Sequence, residues 1–281
     1  FHNMPAVAPR LEPRGKHDAC FMPRTVHCTG DIGIHEMAWA GDELLFVNTE
    51  FSCLCTRSDM YSFVPRWRPR FVTALAPEDR CHLNGMGVAD GQVRYVTALG
   101  RTDSPGGWRE NKRDGGLLID VDQNAVVAER LSMPHSPRCH EGKVWVLESG
   151  TGSMGTVEVG SGRYDVLAEF PGFTRGLAFC GPLAFVGLSE VRESAIFSGF
   201  PLVERVEERT CGVWVVDIRN GRTVAWVKFE GEAEEIFGVE VLPGIRFPEL
   251  ISENREILAR SYMLPDEALA EVPENMRSTG D

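Results

Sequence analysis

A repeating unit constrains this chain more than any other feature. In each copy a polar residue opens a short strand of small and apolar residues, a tight turn follows, and a strongly apolar strand completes the unit. Residues 35–47 read HEMAWAGDELLFV, residues 84–96 NGMGVADGQVRYV, residues 135–146 HSPRCHEGKVWV and residues 175–186 RGLAFCGPLAFV; a degenerate copy opens at 237–241, FGVEV. The opening residues His35, Asn84, His135, Arg175 and Phe237 recur 49, 51, 40 and 62 residues apart. A period of about 50 residues built only of strands and turns implies a β-propeller, one blade per repeat. A second element recurs behind the first: IDVDQN at 119–124, VEVGSG at 157–162 and VDIRNG at 216–221. Each is a strand running into a polar hairpin turn. A unit therefore has four strands, and the expected fold is all-β, a propeller of five to six four-stranded blades. A β-sandwich with chance similarity is the alternative, disfavoured because two elements recur in the same order.

On this alignment residues 1–17, rich in Pro and Arg, form an N-terminal arm, residues 18–250 the propeller, and residues 251–281 a C-terminal tail. Residues 18–31 read as outer strands of a blade, and blades follow at about 33–75, 82–130, 133–170, 173–230 and 235–250. In the tail, residues 265–273 fit a short helix with proline and acids at its start. Two insertions, 100–116 and 189–210, each follow the second strand of a blade. The second strand runs back toward the start of the first, so both insertions belong on the rim that the opening residues line. Loops of that length on a rigid scaffold often carry binding.

Composition narrows the partners. The chain has 281 residues, 43% of them apolar, a formal net charge of −12 and no basic cluster. Nucleic acid and anionic membrane surfaces are therefore poor partners, and no apolar run is long enough to span a bilayer. Eight cysteines occur without a CxxC pair, which points to buried free thiols and a reducing, cytoplasmic location. Cys53 and Cys55 share a strand face and could hold a soft metal. The chain opens at Phe1 without an initiator Met, as a fragment or processed form would.

The opening residues carry the candidate chemistry. His82 lies two residues before Asn84, and Glu235 two before Phe237, so both pairs point the same way along extended chain. Three imidazoles, a carboxylate, an amide and a guanidinium would then surround one funnel. His35, His82 and His135 are a competent ligand set for a divalent metal, zinc foremost. Arg175 could stabilise developing negative charge, and Glu235 could serve as base or fourth ligand. Asn84, with Trp108, Arg109, Asn111 and Lys112 of the first insertion, would bind substrate, an aromatic face and two cations suiting an anionic or sugar-like molecule. Glu148 is a candidate partner for a histidine. Asp120, Glu158 and Asp217 read as hairpin stabilisers, His140 as a solvent-facing turn residue. A water-filled polar channel is the bland alternative for the whole set. No phosphate loop, dinucleotide fingerprint, HExxH or nucleophile elbow is present.

The motifs DRCHLNG (79–85), YVTALG (95–100), GGWRENK (106–112), MPHSPR (133–138), PGFTRGLAF (171–179) and CGVWVVD (211–217) together resemble a bacterial family of conserved hypothetical proteins without an assigned activity. Members of that family carry an additional N-terminal stretch of strands, which implies that a six-bladed ring is represented here by about five blades. More distantly, Asn84-Gly and Pro134-His-Ser are similar to blade openings in two six-bladed groups. The gluconolactonase and regucalcin group holds its metal with carboxylate and Asn ligands, which only Asn84 and Glu235 could match. The amidating lyase holds zinc with three axial histidines beside an arginine, and the set here looks more like that one. The resulting expectation is a metal-dependent hydrolase or lyase acting on a small polar or anionic substrate in the funnel. The alternative is a non-enzymatic propeller that grips a ligand or protein with its two insertions.

Overall fold

The computed structural model describes residues 1–190 and 199–277. The chain divides into two compact units, Thr29–Val241 and a second made of Phe1–Cys28 with Leu242–Asp281. Among the described residues the larger unit holds four sheets, each an antiparallel meander of four consecutive strands. Blade 1 comprises Ile34–Ala40, Glu43–Asn48, Cys53–Thr56 and Val64–Trp67; blade 2, Leu83–Ala89, Gln92–Ala98, Gly116–Asp120 and Ala125–Leu131. Blade 3 comprises Pro134–His140, Lys143–Glu148, Ser153–Glu158 and Arg163–Glu169; blade 4, Phe173–Cys180, Leu183–Ser189, Gly212–Asp217 and Arg222–Lys228. The first strand of each blade packs beside the first strand of the next. This is the mainly β propeller of four-stranded antiparallel blades that the repeat implies, with five sheets along the chain.

Local chemistry explains the meanders. Ala89 and Gln92 are joined by Asp90 and Gly91, both with positive φ, and His140 and Lys143 by Glu141 and Gly142 in the same way. Two consecutive left-handed residues make the tight turn whose twist matches the flanking strands. Two of the three acids expected to stabilise hairpins, Asp120 and Asp217, do so with their side chains, whereas at Glu158 the backbone carbonyl closes the turn. Asp120 accepts from Gln123 N and Asp217 from Arg219 N, at 2.9 and 3.0 Å.

Apolar layers lie between neighbouring blades. Val47 and Leu54 of blade 1 meet Leu83, Met86 and Val96 of blade 2. Tyr95 and Leu118 meet Val144, Val146 and Val157 of blade 3. Trp145, Leu147 and Met154 meet Leu177, Val186 and Val216 of blade 4. Each such side chain contributes about 1.5–3 kcal/mol through removal from water. Gly85 is required by this packing: a Cβ there would lie 2.6 Å from Pro137 Cδ and 3.0 Å from Ser136 N.

The expected blade over 235–250 is not formed. Residues 234–239 instead run alongside the start of blade 4. Glu190 N donates to Glu234 O at 2.9 Å, and Ile236 N to Ser189 Oγ at 2.9 Å. Beyond them Pro243, Gly244 and Pro248 interrupt any long strand, because proline lacks the donor a ladder needs. In the second unit Pro248–Leu250 pairs in parallel with Ala19–Met22, which pairs antiparallel with His2–Asn3. Of residues 18–31, only that one strand is formed. The arm and the tail, expected as separate pieces, share a core of Met4, Ala8, Leu11, Met22 and Ile251. The tail holds two α-helices where one was expected, Arg255–Arg260, capped by Asn254, and Asp266–Glu271. Among the described residues no helix is long and apolar enough to cross a membrane.

Candidate functional site

Strand register defines which residues are equivalent. Ile34 pairs with Asn48, Leu83 with Ala98, Pro134 with Glu148 and Phe173 with Ser189, each at the end of a second strand. His35, Asn84 and His135 follow directly and share one position, as the repeat predicted. In blade 4 that position belongs to Thr174, and Arg175 stands one residue further on. Every blade opens on an irregularity in its first ladder (between Ile34 and Met37, Leu83 and Gly85, His135 and Arg138, Thr174 and Leu177). A bulge adds a residue to one strand, so alignment by spacing slips there.

Asn84 and His135 form one closed chain of hydrogen bonds. Thr97 Oγ1 donates to Asn84 Oδ1 at 2.7 Å. The Asn84 amide donates to Pro134 O at 3.0 Å and to His135 Nε2 at 3.2 Å. Nε2 therefore holds the lone pair and Nδ1 the proton. Nδ1 lies 2.9 Å from Met133 O and 3.1 Å from Ser149 Oγ, and Ser149 in turn donates to Thr174 O. All of these residues are buried. The network ties blades 2, 3 and 4 together at their openings and leaves both nitrogens of His135 engaged.

A second group stands at the mouth. Both oxygens of Asp79 lie 3.1 Å from His82 Nδ1. Asp79 Oδ2 also accepts from Trp108 Nε1 at 2.8 Å and from Arg109 Nη2 at 3.3 Å. The carboxylate orients His82 with Nδ1–H toward itself, so that Nε2 carries the lone pair. Nε2 has no hydrogen-bond partner among the described residues. The His82 ring lies 4.3 Å from the Trp108 ring and meets His35 edge-on, centroids 4.8 Å apart. Arg109 lies over Trp108, Cζ 4.4 Å from the ring, and Lys112 Nζ approaches the same ring at 5.9 Å. Asp79 and His82 have φ values of 45° and 49°, sparsely populated for residues other than glycine. Such strain persists where surrounding structure enforces it, often at functional sites.

Arg175 and Glu235 form a third group. The Arg175 side chain is almost fully buried, 3.9 Å from Glu235 Oε1 and with Cζ 4.4 Å above the Phe237 ring. Asn111 and Trp108 both line a cleft of about 350 Å³ between the insertion and the outer strands of blade 2, with Arg101, Asp114 and Arg130. The two insertions share a rim, as expected. Phe200 packs with Trp108, Leu99 and Met133, and Arg113 donates to Gly199 O at 3.1 Å and pairs with Glu204 at 3.4 Å. Residues 191–198 of the second insertion lie outside the described residues.

The expected metal set is not gathered. His35 and His82 adjoin, His135 is held by Asn84 and Met133, and among the described residues no group of three or more His, Cys, Asp or Glu side chains could hold one ion. Glu148 partners no histidine among the described residues; it accepts from Ser132 N at 2.7 Å and from Thr151 Oγ1 at 3.3 Å, and burial raises its pKa. Its neighbour Ser149 is the one that reaches His135. His140 stays partly exposed, as expected, while stacking on Phe179, ring centroids 4.2 Å apart, with Nε2 2.9 Å from Gly181 O.

Besides Ser149, three important residues escaped the sequence reading. Asp79, three before His82, was visible only as part of a motif. Glu36 and Arg138 meet across the axis of the larger unit. Arg138 pairs with Glu36 of blade 1 and donates to Met86 O of blade 2 at 3.0 Å and Leu177 O of blade 4 at 2.9 Å. Glu36 also accepts from Met86 N at 2.9 Å.

Comparison with known proteins adds little about chemistry. Among solved structures, the chain is similar to hydrazine synthase of Kuenenia stuttgartiensis, with 11% identity over 74% of this chain and 52% of that one, TM-score 0.42. A nidogen/laminin complex gives 11% identity over 66% and 58%, TM-score 0.42. The computationally designed Ika8 protein gives 8% over 74% and 52%, TM-score 0.40. The chain thus spans about half the length of the first and last of these, and at such scores the likenesses carry no functional meaning. No curated protein matches. Residues 1–251 match the family described as a domain of unknown function, DUF4915, and the chain belongs to that family.

Proposed function

We propose that the mouth formed by Asp79, His82, His35, Trp108 and Arg109 binds a small polar or anionic molecule and acts on it by proton transfer, as a hydrolase or lyase. The observation that carries this reading is the Asp79 carboxylate, held by Trp108 and Arg109 and oriented on His82 Nδ1. A histidine whose tautomer is fixed by a carboxylate offers its other nitrogen as a general base. Arg109 and Lys112 would attract an anion, and Trp108 would give it an apolar wall. Asn84 and His135 serve this reading by holding three blade openings in register beneath the mouth. Arg175, with Glu235, is a further cation within the same unit that could meet developing negative charge.

The test is a screen of hydrolase and lyase reactions on small anionic substrates, run beside His82→Gln. Turnover that falls by about 10²–10⁴-fold in the variant, with folding intact, supports the reading. Ligand binding without turnover, lost in His82→Gln, would instead identify a binding propeller. Neither turnover nor binding in the native chain overturns the proposal. A metal-dependent form on His35, His82 and His135 requires about one equivalent of divalent ion in untagged protein, lost in His35→Ala/His135→Ala.

A further inference from the structure

Each blade ends on an outer strand, and one of these edges differs from the rest. The outer strand of blade 1 is four residues long and contains Pro65. That of blade 2 is interrupted by two register shifts, and that of blade 3 carries Arg163, Asp165 and Glu169. Short length, proline, bulges and charge all blunt an edge against pairing. Blade 4 ends on Arg222–Lys228, RTVAWVK, exposed at every position and uncharged from Thr223 to Val227. Its register with the third strand shifts once, between Val215 and Val216, which leaves Ala225–Lys228 regular. Phe229 N donates to Cys211 O at 3.0 Å, so Phe229, Val227 and Ala225 turn their main-chain groups toward the third strand. By alternation Trp226 and Lys228 turn theirs outward, where no strand of the described residues pairs with them.

We propose that this edge pairs antiparallel with the same edge of a second copy of the chain, Val227 facing Val227 across a two-fold axis. That register sets Trp226 opposite Lys228 of the second copy and Lys228 opposite its Trp226. The outward N–H and C=O groups of both residues then find partners, and the pairing stays clear of the register shift. On one face the Lys228 ammonium meets the Trp226 ring, a cation–aromatic contact that extends the Trp214–Trp226 pair of blade 4. On the other face Val227 meets Val227 and Ala225 meets Phe229. In the single chain Trp226 is 65% and Val227 58% exposed, so the pairing removes apolar surface from water. Any extended peptide could satisfy the hydrogen bonds; a second copy also supplies the lysine for Trp226 and the apolar partner for Val227. The contact is closed, because each copy uses up its own edge.

Sedimentation of the full chain over a range of concentrations should show a monomer–dimer equilibrium. Residue 227 faces itself, so Val227→Lys and Val227→Glu should each lose the dimer through like charge at the axis. An equimolar mixture of the two variants should recover it as a heterodimer, which also shows that both fold. In the native chain the amides of Trp226 and Lys228 should exchange slowly with deuterium in the dimer and rapidly on dilution to monomer. A chain that stays monomeric, single variants that still dimerise, a mixture that does not, or amides equally protected at every dilution would overturn the pairing.

Discussion

His82 shows how one side chain is prepared for work. Its backbone is held left-handed, its ring is wedged between His35 and Trp108, and its Nδ1 faces a carboxylate with two further donors. Asp79 acts through the groups it holds, His82 among them, so its replacement has a signature of its own. Asp79→Asn keeps the shape but removes the charge and exchanges one oxygen for an NH2 donor that no longer favours Nδ1–H. The ¹⁵N spectrum of the His82 ring should change from one tautomer to a mixture, and any turnover should fall by about 10²–10⁴-fold. A native-like ring spectrum in that variant would mean that the carboxylate does not set the tautomer. Legibility at this scale was uneven. His35, Asn84 and His135 could be aligned because they share a strand position, and Arg175 was misaligned by one residue because a bulge is invisible to spacing. Asp79 and Ser149 were missed for a different reason. Their importance lies in side-chain hydrogen bonds between segments, and no periodicity encodes those.

Elements were more legible than sites. Four expected blades match the observed sheets closely, because tight turns at Asp90-Gly91 and Glu141-Gly142 and apolar second strands leave few alternatives. The fifth failed where the acidic run Glu230, Glu232, Glu234, Glu235 and the prolines after it offer neither alternation nor donors. Between elements, polar contacts fix the first insertion. Asp103 accepts from Thr73 N and Oγ1 at 2.9 and 2.6 Å and from Arg80 at 2.7 Å, tying the loop after blade 1 to the insertion. Those bonds lower its pKa from 3.8 to about 2. A carboxylate whose folded pKa is depressed adds stability above its unfolded value and loses it as pH falls through the folded one. The melting temperature should therefore drop between pH 4 and pH 2, and Asp103→Asn should flatten that part of the profile. Asp217, lowered to about 2 chiefly by Arg219, acts in the same direction. Glu148 runs the other way. Burial raises its pKa above 4.5, so its contribution is present in acid and is lost as pH climbs past that value. A melting temperature in Asp103→Asn that follows the native profile from pH 4 to pH 2 would show that the loop contact contributes nothing.

For the larger unit as a whole, the pairing of Arg138 with Glu36 is the contact that joins the most blades. Arg138 stands beyond the bulge from His135, opposite Trp145 where His135 is opposite Leu147, about 7 Å further along the strand. There it touches all four blades, through Glu36, Met86 O, Leu177 O and its own neighbour Pro137 O. A guanidinium placed in this way joins the first strands of all four blades. It is a lock on blade order, since blades 1 and 3 are not sequence neighbours and meet through this pair. Arg138→Met keeps much of the stem's packing but leaves the half-shielded Glu36 carboxylate unpaired, and should cost about 3 kcal/mol in denaturant unfolding. Adding Glu36→Gln removes the stranded charge. The double variant should then recover part of the loss, with a coupling of about 0.5–3 kcal/mol between the two positions. Additive losses would show that the pair does not act as one unit. Because the lock lies below His82 rather than beside it, a small ligand at the mouth should bind the double variant nearly as well as the native chain. A ligand whose affinity collapses in the double variant would instead have to reach down the axis, beyond the Asp79 cluster.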